Sequence, residues 1–221
     1  MKNKLKIGVL VSGSGSNLQA IIDQIEAGRL DADIVIVITN NPEAYAVKRC
    51  ESHGIPVAIV RHEDYPSRDA FDLAMIDILS RHGVELVVMA GFMRLLSRQF
   101  LRTFPLKIMN IHPALLPAFP GLHVQKKAID YGVKFSGCTV HFVDQGMDTG
   151  PIIIQAVVPV KPDDTEDTLA ARILIEEHKI YPQAIQWFAE GRLTIKDRQV
   201  FVRGCPSSEL PPLINPALTD D

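Results

Sequence analysis

The sequence predicts an α/β protein: an open, mostly parallel, twisted sheet with helices on its faces. Three observations carry this. Short continuous runs of Val, Ile and Leu recur near residues 6–11, 33–38, 56–60 and 85–90, as expected of strands buried on both faces. Amphipathic stretches of helical spacing lie between them, several closed by glycine. Polar side chains with chemistry to offer (Asn110, His112 and Asp148) fall just past two strand ends, where open α/β sheets gather their ligands.

Residues 6–11 are the first strand, stopped by a Gly/Ser cluster. Ser16 or Asn17 can cap the following helix, whose apolar face is Leu18, Ile21, Ile22 and Ile25 and whose stop is Gly28. The β-branched run 33–38 is a second buried strand. A helix near residues 45–53 closes at Gly54, and residues 56–60 form the third strand. Phe71, Met75, Ile78 and Leu79 set the helical period of residues 67–82, which Gly83 ends. Residues 85–90 are the fourth strand and 97–104 a short helix. This alternation predicts parallel strands with right-handed crossovers.

The rest of the chain is organised around residues 107–150. A short apolar run at 107–109 leads into Asn110 and His112, and a proline-punctuated loop and a short helical pattern follow. Residues 134–143 and 151–159 are strand-like and joined by a turn-rich segment, which predicts at least one antiparallel pairing. Residues 163–191 read as one long amphipathic helix with an irregularity at Pro182. Residues 193–195 and 200–202 suggest a terminal hairpin. The organisation expected is a single domain over residues 1–203 and a loosely held, Pro-rich tail over 204–221.

Composition narrows the function classes. With 221 residues, 47% of them hydrophobic, the chain can bury a sizeable core. A net charge of −3 and the lack of a long basic run make nucleic acid and anionic membranes poor partners. Cys50, Cys138 and Cys205 are far apart and odd in number, so free thiols in a reducing cytoplasm are expected. The apolar run after Lys6 is too short for a signal peptide core or a membrane span.

The Gly/Ser loop between the first strand and helix would aim backbone N–H groups and a positive helix end at one point, which suits a phosphate. A tight turn that merely needs small residues would look the same. The dinucleotide fingerprint fails because Leu18 stands in place of its third glycine and no acid follows the second strand, which ends in Thr39, Asn40 and Asn41. A phosphate monoester therefore fits better than NAD or ATP. Asn110 offers a donor that never titrates, and an aspartate beside a histidine favours the charged ring and fixes its orientation. Together Asn110, His112 and Asp148 suit a reaction through a tetrahedral oxyanion, although each alone could be a turn former or an ordinary hydrogen-bonded residue. His112, His123, His141 and His178 lack the spacing of a metal site, and Cys138 reads as a packed strand residue.

Five runs of sequence carry a resemblance: residues 12–22 (SGSGSNLQAII), 90–96 (AGFMRLL), 110–117 (NIHPALLP), 120–123 (PGLH) and 148–151 (DTGP). Over about residues 5–202 the chain resembles the phosphoribosylglycinamide formyltransferases, folate-dependent enzymes of purine synthesis. The resemblance implies a Rossmann-like fold and, as co-substrates, 10-formyltetrahydrofolate and glycinamide ribonucleotide, with no metal. It also implies that Asn110, His112 and Asp148 are catalytic, that Gly15, Ser16 and Asn17 hold the ribonucleotide phosphate, and that Glu177 meets its ribose. By the same resemblance Arg68 lies near the folate glutamate tail. Met93, Arg94, Leu95 and Leu96 line the folate pocket, and Asp144, Gln145, Gly146, Met147 and Asp148 surround the pterin. Gln125 departs from the pattern, since some members carry a histidine there. A cytoplasmic monomer or weak homodimer is expected. Two alternatives stay open, a formyltetrahydrofolate deformylase and a non-catalytic phosphosugar or folate binder. The deformylases carry an extra N-terminal domain, for which a first strand near residue 5 leaves no room. The methionyl-tRNA formyltransferases add a C-terminal domain longer than the tail here.

Overall fold

The computed structural model describes residues 4–205 and 211–216. Nine strands form one open sheet in the order β3-β2-β1-β4-β5-β6-β7-β9-β8. Strands β1 (Leu5–Val11), β2 (Ala32–Thr39), β3 (Val57–Ile59), β4 (Leu86–Met89) and β5 (Ile108–His112) run parallel. Strands β6 (Phe135–Phe142) and β7 (Ile152–Pro159) continue antiparallel from β5. The hairpin of β8 (Leu193–Lys196) and β9 (Gln199–Val202) joins the sheet edge through β9, beside β7.

The helices are α1 (Ser16–Glu26), α2 (Tyr45–Ser52), α3 (Arg68–Arg81), α4 (Arg98–Thr103), α5 (Val124–Tyr131) and α6 (Glu166–Ala189). Alternate residues of one strand serve opposite faces. Ile7, Val9 and Val11 pack with α1 and α6 residues, whereas Leu10 packs with Phe71, Met75 and Leu79 of α3. That double burial explains the unbroken apolar runs. Truncating a fully buried side chain such as Leu10 to Ala would cost roughly 2–5 kcal/mol.

Three details differ from the sequence reading. Neither Ser16 nor Asn17 caps α1: the cap position is Gly15, at φ 69° and with no side-chain cap. A side chain there would be strained, and its Cβ would lie 2.8 Å from that of Ala46. Strand β5 runs on through His112, because β6 pairs with it in register Asn110↔His141 and His112↔Thr139. Helix α6 passes through Pro182 without a break, and Pro182 is among its buried residues. Part of the expected loose tail, residues 206–210 and 217–221, lies outside the described residues. Within 211–216, Asn215 donates from Nδ2 to the carbonyls of Lys134 (2.7 Å) and Val160 (3.3 Å), beside the β6–β7 pair.

Candidate active site

Two clefts open side by side at the C-terminal edge of the parallel strands. The first, about 180 Å³, is lined by residues 12–17 and by Ala90, Gly91 and Met93. It is built mostly from backbone. The first turn of α1 contains no acidic residue, and no side chain caps it, so its N–H groups remain available to an anion. The loop is braced from behind: the Arg49 Nε–H donates to the Ser14 carbonyl at 2.9 Å, and Ala46 N–H donates to the Gly13 carbonyl. Asn17 is buried, and its Nδ2 donates to Glu177 Oε2 at 2.7 Å. Burial raises the Glu177 carboxyl above its ordinary range, and the Asn17 bond opposes that. Glu177 is therefore not on the exposed face that its neighbour Glu176 occupies with Lys179. One turn on, the buried Tyr181 hydroxyl lies 2.9 Å from the Met89 carbonyl and 3.0 Å from that of Met109. It has one proton to share between the two strands.

The second cleft, about 200 Å³, lies over the ends of β4, β5 and β6. Arg68, Arg94, Leu95 and Leu96 line one side of it. The loop of Asp144, Gln145, Gly146, Met147 and Asp148 lines the other, and Asn110 and His141 stand at its base. Of the residues assigned by resemblance to the folate pocket, only Met93 is placed elsewhere, in the first cleft. Its N–H donates to Ser12 Oγ at 3.0 Å, and Arg94 is the next residue, so a single stretch of chain divides the two clefts.

Asn110, His112 and Asp148 come together. Asp148 adopts φ 55°, a left-handed conformation that aspartate tolerates. Its loop is pulled tight where Gly150 passes so close to the Phe142 carbonyl that no Cβ would fit. Asp148 Oδ2 accepts the Gly121 N–H at 2.9 Å and lies 3.4 Å from His112 Nδ1. His112 is buried, and its Nε2 lies 2.9 Å from the Phe119 carbonyl. A carbonyl only accepts, so Nε2 carries a hydrogen, and a proton on Nδ1 would make a cation facing Asp148. Phe119 is itself positioned by a pinned loop. Thr139 Oγ1 donates to the Ala114 carbonyl at 2.7 Å, and Gln155 Nε2 donates to the Leu116 carbonyl at 2.9 Å.

His141 is a site residue that sequence reasoning missed. Its Nδ1 lies 2.9 Å from the Phe142 carbonyl and so carries the ring hydrogen. Its Nε2 then accepts from Asn110 Nδ2 at 3.2 Å and sits 3.8 Å from Asp148 Oδ1. Burial lowers the His141 pKa below the usual imidazole value, which favours this neutral form. One Asn110 N–H is thus committed to His141, and the other is free for the cleft. The one available signal was the pairing of His141 with Asn110, which needs the antiparallel register. Cys138 is buried, and its thiol is pushed up to about 12, which suits a packing residue. Among the described residues no group of His, Cys, Asp and Glu could hold a metal ion, and no helix is long and apolar enough to cross a membrane.

Comparison with known proteins places the chain in a family. The formyl transferase family profile matches residues 5–185. The phosphoribosylglycinamide formyltransferase of Escherichia coli K12 is 40% identical, over 94% of this chain and 97% of that protein. The solved structure of glycinamide ribonucleotide transformylase 1 from Symbiobacterium toebii is 50% identical, with a TM-score of 0.90, covering 91% of this chain and 95% of that one. The trifunctional purine biosynthetic protein adenosine-3 of Drosophila melanogaster is 46% identical, but this chain spans only 14% of its length. The chain belongs to the formyl transferase family, in its phosphoribosylglycinamide formyltransferase branch.

Proposed function

We propose that the protein transfers the formyl group of 10-formyltetrahydrofolate to the amine of glycinamide ribonucleotide, a step of purine synthesis. The observation that supports this best is the pair of clefts divided by one stretch of chain, a loop suited to an anion beside a cleft that Asn110 and Asp148 line, with His112 buried behind Asp148. The ribonucleotide phosphate takes the backbone N–H groups of Gly15, Ser16 and Asn17, with Glu177 beneath its ribose. The folate lies in the second cleft against Leu95, Leu96 and residues 144–148, with Arg68 and Arg94 toward its carboxylates. The amine attacks the formyl carbon, and the carbonyl oxygen becomes an oxyanion. The free Asn110 N–H donates to it, and so does the His112 Nε2–H once the oxyanion replaces the Phe119 carbonyl as acceptor. Asp148, which faces His112 Nδ1, passes the ammonium proton through water to N10 of the leaving folate. Collapse of the intermediate then breaks the N10–carbon bond and gives the formylated ribonucleotide and tetrahydrofolate.

Product analysis tests this. Donor should turn over rapidly only with the ribonucleotide present, and formylated ribonucleotide should match tetrahydrofolate one to one. Glycinamide lacking its ribose phosphate should be a far poorer acceptor in kcat as well as in affinity. Formate released at the same rate without acceptor would make the protein a hydrolase. Binding of both compounds without turnover would make it a non-catalytic binder.

A further inference from the structure

The Gly/Ser loop lies against α2, and two of its carbonyls are fastened there. The Ala46 N–H donates to the Gly13 carbonyl at 3.2 Å, and the Arg49 Nε–H donates to the Ser14 carbonyl at 2.9 Å. The packing is close, since a Cβ built on Gly15 would lie 2.8 Å from the Ala46 Cβ and 3.5 Å from the Arg49 Cδ. Both peptides are trans, so each carbonyl and the N–H that follows it point in opposite directions. With the Gly13 and Ser14 carbonyls turned to α2, the Ser14 and Gly15 N–H groups turn away from it. Among the described residues neither N–H has a protein partner. The cleft on that side is lined by both residues and by none of α2.

Arg49 is held more firmly than a solvated arginine. Its Nη1 donates to Gln19 Oε1 at 3.1 Å, and its guanidinium carbon lies 4.9 Å from the centroid of the Tyr45 ring. Gln19 is itself fixed, because its Nε2 donates to Asp23 Oδ1 at 2.8 Å. The acceptors of Arg49 are neutral, and among the described residues no carboxylate comes within 4.0 Å to cancel its charge. A fixed, unneutralised cation therefore stands one peptide group behind the N–H donors of the first cleft. A bond from a charged donor also polarises the Ser14–Gly15 peptide, which makes the Gly15 N–H a stronger donor. A plain brace needs none of this charge: a neutral N–H serves for the Gly13 carbonyl.

Resting on the acceptor assignment above, we infer that Arg49 is a positioning residue for the ribonucleotide phosphate: it aims the Gly15 N–H into the cleft and sets a fixed positive charge behind it, so that acceptors are selected by a doubly charged phosphomonoester. Arg49 does not line the cleft, so it acts through the loop and touches none of the reacting atoms.

The test is steady-state transfer, with 10-formyltetrahydrofolate saturating, to two acceptors: glycinamide ribonucleotide and glycinamide riboside, which lacks the phosphate. Arg49→Met should lower kcat/KM for the ribonucleotide about 10-fold or more, mostly through KM. The same variant should treat the riboside as the wild-type protein does. Arg49→Lys keeps the charge without the forked contact and should recover part of the loss. The difference between wild type and Arg49→Met should shrink as salt rises. Ribose 5-phosphate, as a competitive inhibitor, gives a second reading that needs no riboside turnover: its Ki should rise in step with the ribonucleotide KM. Arg49→Gln, which can keep a neutral donor on the Ser14 carbonyl, takes the place of Arg49→Met if that variant does not fold. Equal losses for both acceptors, or an unchanged ribonucleotide KM, overturn the role of Arg49 alone. An unmoved Ki for ribose 5-phosphate overturns it as well. A wild-type protein that forms no formylated ribonucleotide overturns the acceptor assignment and this inference with it.

Discussion

The two clefts solve recognition in opposite ways. The Gly/Ser cleft is built from main chain, and its donors are the N–H groups of a loop and a helix start, placed by β1, α1 and the positive φ of Gly15. The second cleft is built from side chains that three separate segments deliver: Asn110 from β5, His141 from β6 and Asp148 from the loop after β6. The first lies among parallel strands, and the second lies where the sheet turns antiparallel. A backbone site tolerates many side chains but no intruding charge. A side-chain site fails when a single group is lost.

The largest effects should therefore come from the second cleft. Removing one oxyanion donor typically costs about 10²–10³ in kcat. Asn110→Ala and His112→Ala should each lose at least that much, while a binding titration shows ribonucleotide affinity nearly unchanged. Either variant within a few-fold of wild type would assign that side chain to structure instead.

The first cleft should answer in KM. Gly15 is a poor place to test it, because any side chain there is strained and meets Ala46. Gly13 has open space around it, so Gly13→Asp adds charge with little strain. A like charge against the phosphate should raise the ribonucleotide KM about 10-fold or more and leave the folate KM near wild type. An unchanged ribonucleotide KM would remove the anion site.

His141 sharpens the comparison through pH. Its folded pKa lies below the ordinary 6.5 because the ring is buried. As pH falls through that lowered value the ring gains a proton, and Nε2 can no longer accept from Asn110. Activity should therefore have an acid limb below pH 6.5, and His141→Gln should abolish it while keeping part of kcat. The stability sign follows from linkage: the unfolded chain takes up this proton first, so the contribution is present above the unfolded pKa and is lost as pH falls through the folded one. An acid limb unmoved in His141→Gln would assign it to another group.

Much of the backbone site was legible because its signals are local. A β-branched run, a Gly/Ser cluster and an apolar period of 3.6 announce strand, loop and helix within about 20 residues. The helix cap was misread because Ser16 and Asn17 are the better capping side chains, while Gly15 answers a backbone conformation. The side-chain site was legible only in part. Asn110 and His112 share a strand face by alternation, but His141 and the Phe119 carbonyl enter through strand register and loop pinning, which no local pattern encodes. The hairpin of β8 and β9 was visible as a hairpin, but its place at the sheet edge depends on a single pairing, Ile152↔Gln199.

The smallest effect belongs to a residue outside both clefts. Asn215→Ala removes hydrogen bonds to two carbonyls near the surface, worth about 1 kcal/mol. Melting should drop by about 2–4 °C with transfer kinetics unchanged. A change in kcat would tie the C-terminal segment to the reaction.

The bond between Asn17 and Glu177 spans 160 positions of the chain. During synthesis the first strand, the Gly/Ser loop and α1 leave the ribosome long before α6 does, and contacts so distant form late. Until the last long helix docks, the Asn17 amide lacks the Glu177 carboxylate and Tyr181 cannot bridge Met89 of β4 and Met109 of β5. Nascent chains arrested before α6 should therefore hold no ribonucleotide, however well their first strands have paired. Capture on an immobilised ribonucleotide would then report that the whole domain has been assembled.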